Sequence, residues 1–417
     1  MSEDTPPLMR PFAGLRAVPE RAADVAAPPY DVLTPEEARA RAKANRWSFV
    51  HVSRPEVDLP DGADPHGPEA HAKAAENFTA MRAAGVLARD PGPGYYVYRL
   101  SVNGHAQTGI VGAASLPAYE ASRVRRHELT RPDKETDRVR HMEALGAQTG
   151  PVMVTHRSCK DVAAVIDRVT AAATAVSVAV DDVSHELWAV ADDGAIAALD
   201  AAFRDVDALY IADGHHRTAA AARVAASRRD ANPGHRGDEP YNSFLAVSFP
   251  SDEVRILDYN RVIRDLAGLS PARFLERAAE AFTVEPDPPE PRPAARGQFG
   301  LYLDGRWYRI AVPAPPPADA PPASRLDITL LSARLLEPVL GIGDPRSDPR
   351  IDFVGGIRGL EELERQVDSG EMAAAFALYP TALDDLMAVA DAGEVMPPKS
   401  TWFEPKLADG LVSALLD

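Results

Sequence analysis

The run YIADGHHRTAAAA, residues 210–222, decides how the middle of the chain is read. Tyr210, Ile211 and Ala212 favour a strand, Asp213-Gly214 interrupts it, and the alanines beyond Thr218 favour a helix. The stretch therefore predicts a strand-to-helix junction, with the helix beginning near Thr218. A helix start leaves its first N–H groups unpaired and aimed at the incoming turn, which makes it an anion site. Gly214 permits a sharp turn and a close ligand approach. Arg217 offers planar donors for phosphate oxygens, and Asp213 suits a magnesium ion or a hydroxyl. His215 and His216 are sequence neighbours, so one faces a ligand while the other packs or orients it. The candidate phosphate contacts are Gly214, His215, His216, Arg217 and Thr218. A solvated helix cap is the plain alternative, but it accounts poorly for five consecutive polar or glycine residues directly after an apolar strand.

Outward from this junction, helix and strand signals interleave. Thr34-Pro35-Glu36-Glu37 opens a helix running to about Asn45. WSFVHVS (47–53) alternates like a strand, 68–87 reads as a helix, and Asn103-Gly104 turns a hairpin. Helices are expected at 133–147, 160–173 and 193–205, a strand at 151–156, a hairpin over 176–192, and a strand at 242–249. Ser270-Pro271 opens another helix. Two proline-rich runs, 284–295 and 312–324, bracket a hairpin with an Asp304-Gly305 turn and read as linkers. Helices at 327–339, 359–370 and 381–391 and a strand at 374–379 follow. The expected organisation is a main α+β unit over 11–283, linkers around a hairpin over 284–325, and a smaller C-terminal α/β unit over 326–417 that closes on the junction. The fold class is α+β or mixed α/β.

Composition narrows the function. The chain has 417 residues, 45% of them hydrophobic, enough for one large core or two ordinary ones. No window reaches the ~18 uninterrupted apolar residues of a membrane span, and MSEDTPPLMR lacks the pattern of a secretory signal. A cytoplasmic protein with no membrane partner is expected. The formal charge of −17 argues against a broad nucleic-acid-binding face. Cys159 is the single cysteine, which excludes an intramolecular disulfide, and it is given no role. The 11 histidines include no HExxH, so a closed zinc site has little sequence support.

Two further constellations stand out. RVRRHELTRPDKETDRVRHMEAL, residues 123–145, is dense in positive charge for an acidic protein. Arg131 and Arg138 are candidate nucleotide contacts there, against the alternative of a solvated helix laced with salt bridges. Glu128, in the loop before that helix, is the candidate acid for orienting an acceptor hydroxyl. MPPKSTWFEPKLADG, residues 396–410, sets Lys399, Ser400 and Thr401 between prolines and beside aromatics, with Lys406 following; these four are candidate phosphate contacts. Tyr30 and Asp31 in APPYDV (27–32) suit a structural or a functional role equally.

Taken in order, APPYDV, RHELT with Asp137-Arg138, DGHHR and MPPKSTWFEPKL resemble the bacterial and archaeal family called domain of unknown function 1015, from about Pro11 to Leu411. The DGHHR turn is also similar to the phosphate-binding turn of the ParB and sulfiredoxin class. That resemblance implies a ParB/sulfiredoxin-like nucleotide-binding core, extended by hairpins and helices, with nucleotide phosphates near Gly214 to Arg217. The class includes free-serine kinases, nucleotide-hydrolysing partition proteins and sulfinic-acid reductases. The reductase chemistry needs a cysteine in the turn, where this chain has His215, and partition proteins need a basic DNA-binding domain. The kinase expectation is left: ATP or ADP with Mg2+, the metal on Asp213, and L-serine or a similar hydroxylated metabolite as acceptor. Glu128, His216 and Asp213 are its catalytic candidates. The alternative is a regulatory or scaffold protein that binds a nucleotide without turnover. No GxxxxGK[ST] is present, so a P-loop enzyme is not expected.

Overall fold

The computed structural model describes residues 7–172 and 176–417. The first six residues of the stretch read for a secretory signal, and Ala173 at the end of an expected helix, lie outside them. The chain is mixed α/β with several sheets, and it divides into two compact units. One runs to Val254 and includes Pro405–Asp417; the other is Arg255–Glu404.

In the first unit, nine strands among the described residues form one mixed sheet. They are β1 (Met9–Arg10), β2 (Tyr95–Val102), β3 (His105–Ser115), β4 (Val124–Arg125), β5 (Val152–His156), β6 (Val176–Val180), β7 (Val183–Val190), β8 (Leu209–Asp213) and β9 (Ser243–Pro250). The order across the sheet is β4-β8-β5-β9-β3-β2-β7-β6, with β1 paired to β3. Two tight turns with positive φ join the hairpins, Asn103-Gly104 between β2 and β3 and Asp181 between β6 and β7. The β4–β8 pair is parallel, with Leu209 opposite Val124 and Tyr210 opposite Arg125. Its two strands therefore deliver the residues that follow them to the same edge of the sheet.

The principal helices of this unit are α1 (Pro35–Ala44), α2 (Pro68–Ala83), α3 (Pro132–Leu145), α4 (Lys160–Thr170), α5 (Asp193–Asp205) and α6 (His215–Ala231). Thr34 closes a reciprocal capping box with Glu37 at the start of α1. The core joins Val162, Val165 and Ile166 of α4, Leu199 and Phe203 of α5, and Ala220, Ala221 and Val224 of α6 to the apolar face of the strands. Alanine on α6 lets that helix lie close to the sheet, and α3 packs along it. A four-stranded sheet orders Leu87–Arg89, Leu15–Ala17, Val412–Leu415 and Ala147–Gln148.

The second unit is built on a six-stranded sheet in the order Thr283–Pro286, Arg306–Ala311, Gln298–Leu303, Ala374–Leu378, Tyr259–Ile263, Ile351–Gly355. Helices Pro271–Ala279, Glu361–Asp368 and Leu383–Asp391 accompany it, and the helix at 327–340 carries one π turn at Ser332–Leu336.

Three expectations change. Residues 47–53 do not form a strand: Val50–Ser53 is one helical turn. Ser48, Phe49, Val50, Val52 and Ser53 are all buried, and Phe49 meets Phe78 of α2 edge to face. Burial of every residue of the turn but His51 overrides the β preference of valine. Helix α6 begins at His215, three residues before Thr218. The division into units also falls elsewhere than the proline-rich runs suggest. The hairpin between them pairs through Gln298–Leu303 with Ala374–Leu378 inside a sheet, and the C-terminal tail returns to the first unit, where Val412–Leu415 pairs with Leu15–Arg16 and Ala147–Gln148.

That return makes a prediction. Leu407, Leu411, Val412 and Leu416 are each at most 6% exposed, and burying such a side chain contributes roughly 1.5–3 kcal/mol. Truncation after Glu404 is expected to lower the melting temperature of the first unit sharply in calorimetry. An unchanged transition would make the tail dispensable.

Candidate functional site

The junction takes its shape from Gly214. It caps α6 with φ +103°, a left-handed conformation that costs a residue with a side chain about 1–2 kcal/mol. A Cβ there would also come within 3.1 Å of Arg217 Nε and 3.2 Å of Val152 Cγ2. The space is occupied because Arg217 folds back beneath the turn. Its Nη1 donates to the Pro151 carbonyl, and its Nη2 donates to Asp213 Oδ2 at 3.0 Å. Lys406 Nζ lies 3.7 Å from the same carboxylate oxygen. Burial acts against ionisation of Asp213, yet Lys406, Arg217 and His215 hold it well below the usual carboxylate range. This carboxylate does not fit the magnesium ligand expected from the sequence, because two cations already share Oδ2.

The two histidines diverge as neighbours must. His216 Nε2 accepts a hydrogen bond of 3.0 Å from the Arg131 backbone N–H, so this ring pins the loop before α3 to the start of α6. Burial keeps its imidazole below the ordinary value, consistent with a neutral acceptor. His215 turns inward, where its ring meets His127 at right angles with centroids 4.5 Å apart. Burial pushes His127 down to about 4 and His215 well below its usual value. Glu128, half-buried, is in the same cluster: one donor atom from each of His127, Glu128 and His215 lies within 4.8 Å of the others.

A cleft borders Arg217, with a cavity volume of about 20 Å³, room for about one water. Tyr30, Arg138, Thr149, Gly150, Arg217 and Asp409 line it. Arg138 lies over the Tyr30 ring, 4.2 Å from its centroid, and donates to Asp137 Oδ2. Gly150 keeps the wall thin: a Cβ there would be 3.4 Å from both Arg217 Cδ and Asp409 Oδ1. Asp409 is 2% exposed and its Oδ1 has no hydrogen-bond partner. Burial pushes its carboxyl up to about 7, opposed by Arg217 and Arg138 and aided by Asp31. A carboxyl so placed takes or gives a proton near neutral pH.

The structure brings together Asp213, Gly214, His215, His216, Arg217, Thr218, Glu128, Arg131, Arg138 and Lys406, all in the first unit. Thr218 is fully buried, and its hydroxyl donates back to the Gly214 carbonyl. The Arg131 side chain is exposed and paired with Asp133. Lys399, Ser400 and Thr401 belong to the second unit, where the Lys399 ammonium lies over the Tyr259 ring and the Ser400 hydroxyl donates to the Pro397 carbonyl. Sequence reasoning passed over Asp409 and singled out His127 only as the neighbour of Glu128, without giving it a role. Asp409 stands three positions after Lys406 and His127 beside Glu128, so adjacency to those candidates was the signal available.

Residues 9–329 match the family described as Protein of unknown function (DUF1015). No curated protein matches the chain. Among solved structures it is similar to a free serine kinase in complex with AMP, at 16% identity, covering 72% of this chain and 92% of that one with a TM-score of 0.36. It is also similar to a conserved hypothetical protein from Pyrococcus furiosus (16% identity, 73% and 95% covered, TM-score 0.36). SbnI with C-terminal truncation from Staphylococcus aureus is a third (11% identity, 73% and 87% covered, TM-score 0.39). At these scores the likeness carries no argument about function.

Two predictions concern this geometry. Arg217→Ala is expected to destabilise the fold by about 3–5 kcal/mol, the usual cost of removing one partner of a buried ion pair, read by urea denaturation. A fully stable variant would show that the turn does not need the guanidinium. Asp409 supplies the second. Its folded pKa near 7 exceeds the unfolded value of about 3.9, so the folded state binds the extra proton between the two. Its contribution to stability is present below pH ~4 and lost as pH rises through ~7. Asp409→Asn is expected to gain melting temperature relative to the native protein as pH rises from 5 to 8, and parallel pH curves would refute the raised pKa.

Proposed function

The chain belongs to the DUF1015 family, whose description carries no activity, and we propose that this member is a nucleotide-dependent kinase that phosphorylates a small hydroxylated metabolite, free L-serine foremost. The observation that carries the reading is the junction itself: a left-handed Gly214 at the end of β8 opens a 17-residue helix, with Lys406 and Arg217 gathered under the turn. A helix start of this kind favours phosphate through its free N–H groups and dipole. ATP or ADP would bring the transferable phosphoryl group and the Mg2+ that neutralises it. The backbone N–H groups of His215, His216 and Arg217 would hold phosphate oxygens, and Arg131 would add positive charge at the rim.

The cleft beside Arg217 supports the acceptor side. A guanidinium and a carboxyl facing one small space suit the two charges of an amino acid, and Asp409, which lines that space with its carboxyl pushed up to about 7 by burial, is the candidate proton acceptor. The acceptor hydroxyl would attack phosphorus, the bond to the nucleotide's bridging oxygen would break, and the proton would pass to Asp409. The cavity has to widen to admit serine. One observation favours the alternative of a nucleotide sensor without turnover: Arg217 and Asp213 are committed to each other and to Pro151, an arrangement that suits rigid recognition.

Incubation of the protein with Mg2+ and ATP or ADP, and a panel of amino acids and sugars, is expected to yield a phosphomonoester by phosphorus NMR. Nucleotide binding in calorimetry with no product from any acceptor would replace the kinase by the sensor. In the kinase, Asp409→Asn is expected to lower turnover ~10²–10⁴-fold while leaving nucleotide affinity unchanged. Full turnover in that variant would remove Asp409 from the chemistry.

A further inference from the structure

The parallel pairing of β4 with β8 has a chemical result at the sheet edge. The loop after Arg125 and the turn after Asp213 leave the sheet side by side, and this brings His127, Glu128 and His215 together from positions about ninety residues apart in sequence. We propose that these three side chains form a binding site for a divalent transition-metal ion, with zinc as the best fit.

The observation behind it is a pair of orphaned imidazole nitrogens. His127 is 1% exposed and His215 7% exposed, and neither His127 Nδ1 nor His215 Nε2 has a hydrogen-bond partner. Leaving such atoms unsatisfied in the interior is costly, and their perpendicular ring contact does not satisfy them. The His127 ring bonds the Ile211 backbone. With Nδ1 unpartnered, that bond falls to Nε2, which fixes the tautomer with its lone pair on Nδ1. Metal-binding histidines are oriented in this way by a hydrogen bond from the other nitrogen. Glu128 completes a set of two imidazole nitrogens and one carboxylate oxygen, with one donor atom from each within 4.8 Å of the others.

An ion ~2.0–2.2 Å from each donor would draw the three closer together, and Glu128 would give the metal an oxygen in place of, or beside, the interaction it already makes. Asp213 and Arg126 both face His215. The negative charge of Asp213 also reaches His127. Two imidazoles suit zinc, iron, nickel or copper better than magnesium, which prefers six oxygens. Three protein ligands leave a coordination position open, the arrangement of a catalytic rather than a structural zinc.

The site stands independently of nucleotide binding, and so does its test. The untagged full-length protein is stripped with a chelator and titrated with Co2+ in the absence of nucleotide, followed by visible absorption. One Co2+ per chain is expected, with the intense bands of low coordination number, displaced by stoichiometric Zn2+ and not by excess Mg2+. Glu128→Gln and His215→Asn are each expected to weaken binding more than ten-fold. Should His215→Asn fail to fold, the half-buried Glu128→Gln decides alone. No stoichiometric uptake of Co2+ or Zn2+ by the native protein, or unchanged affinity in Glu128→Gln, overturns the proposal. Either result leaves the kinase reading standing if nucleotide still binds, and loss of nucleotide binding with metal uptake intact overturns only the kinase.

Discussion

Everything at the candidate site depends on the guanidinium of Arg217 lying beneath its own turn. An arginine taken out of water needs a counter-charge and hydrogen-bond acceptors. Asp213, four residues earlier, provides the first, and the Pro151 carbonyl at the start of the neighbouring strand helps with the second. The contact is possible only because residue 214 has no side chain and tolerates φ +103°. Lys406 then brings the C-terminal tail to the same carboxylate. One charge cluster thus ties together a strand, a helix start and a segment nearly two hundred residues away.

Two chemical environments adjoin the cluster. His216 holds the Arg131 loop while His127, Glu128 and His215 converge. Arg217 also lines a cleft with Arg138, Tyr30 and Asp409. Asp213 and Asp409 show how far environment decides ionisation. Both are desolvated, but two cations beside Asp213 keep it charged, while burial pushes Asp409 up to about 7 against the opposing pull of Arg217 and Arg138.

A polar turn that is saturated by its own neighbours is stiff. Thr218 returns its hydroxyl to Gly214, and His216 accepts from the adjoining loop, so the first N–H groups of the helix are held in a set direction. Preorganised donors bind an anion without having to be ordered first. The same economy explains why so few of the residues at the junction are simply solvated.

Much of the secondary structure was legible from local chemistry. Asn103-Gly104, the Thr34-Glu37 capping box, the alternation of β6 and β7 and the Asp213-Gly214 break each encode their element within a few residues. The residues of the junction were legible too, since glycine, histidines and arginine in succession have few structural uses. Their roles were not. Whether Arg217 meets a ligand or Asp213, whether Asp213 takes a metal or two cations, and which carboxyl sits near neutrality depend on partners such as Pro151, Lys406 and Arg138, which only the fold brings within reach. The one turn of helix at Val50–Ser53 and the pairing of the hairpin at 298–311 within a sheet were likewise decided by tertiary packing. Local sequence specifies backbone preference over a few residues; burial and charge are set by whatever distant chain packs against it.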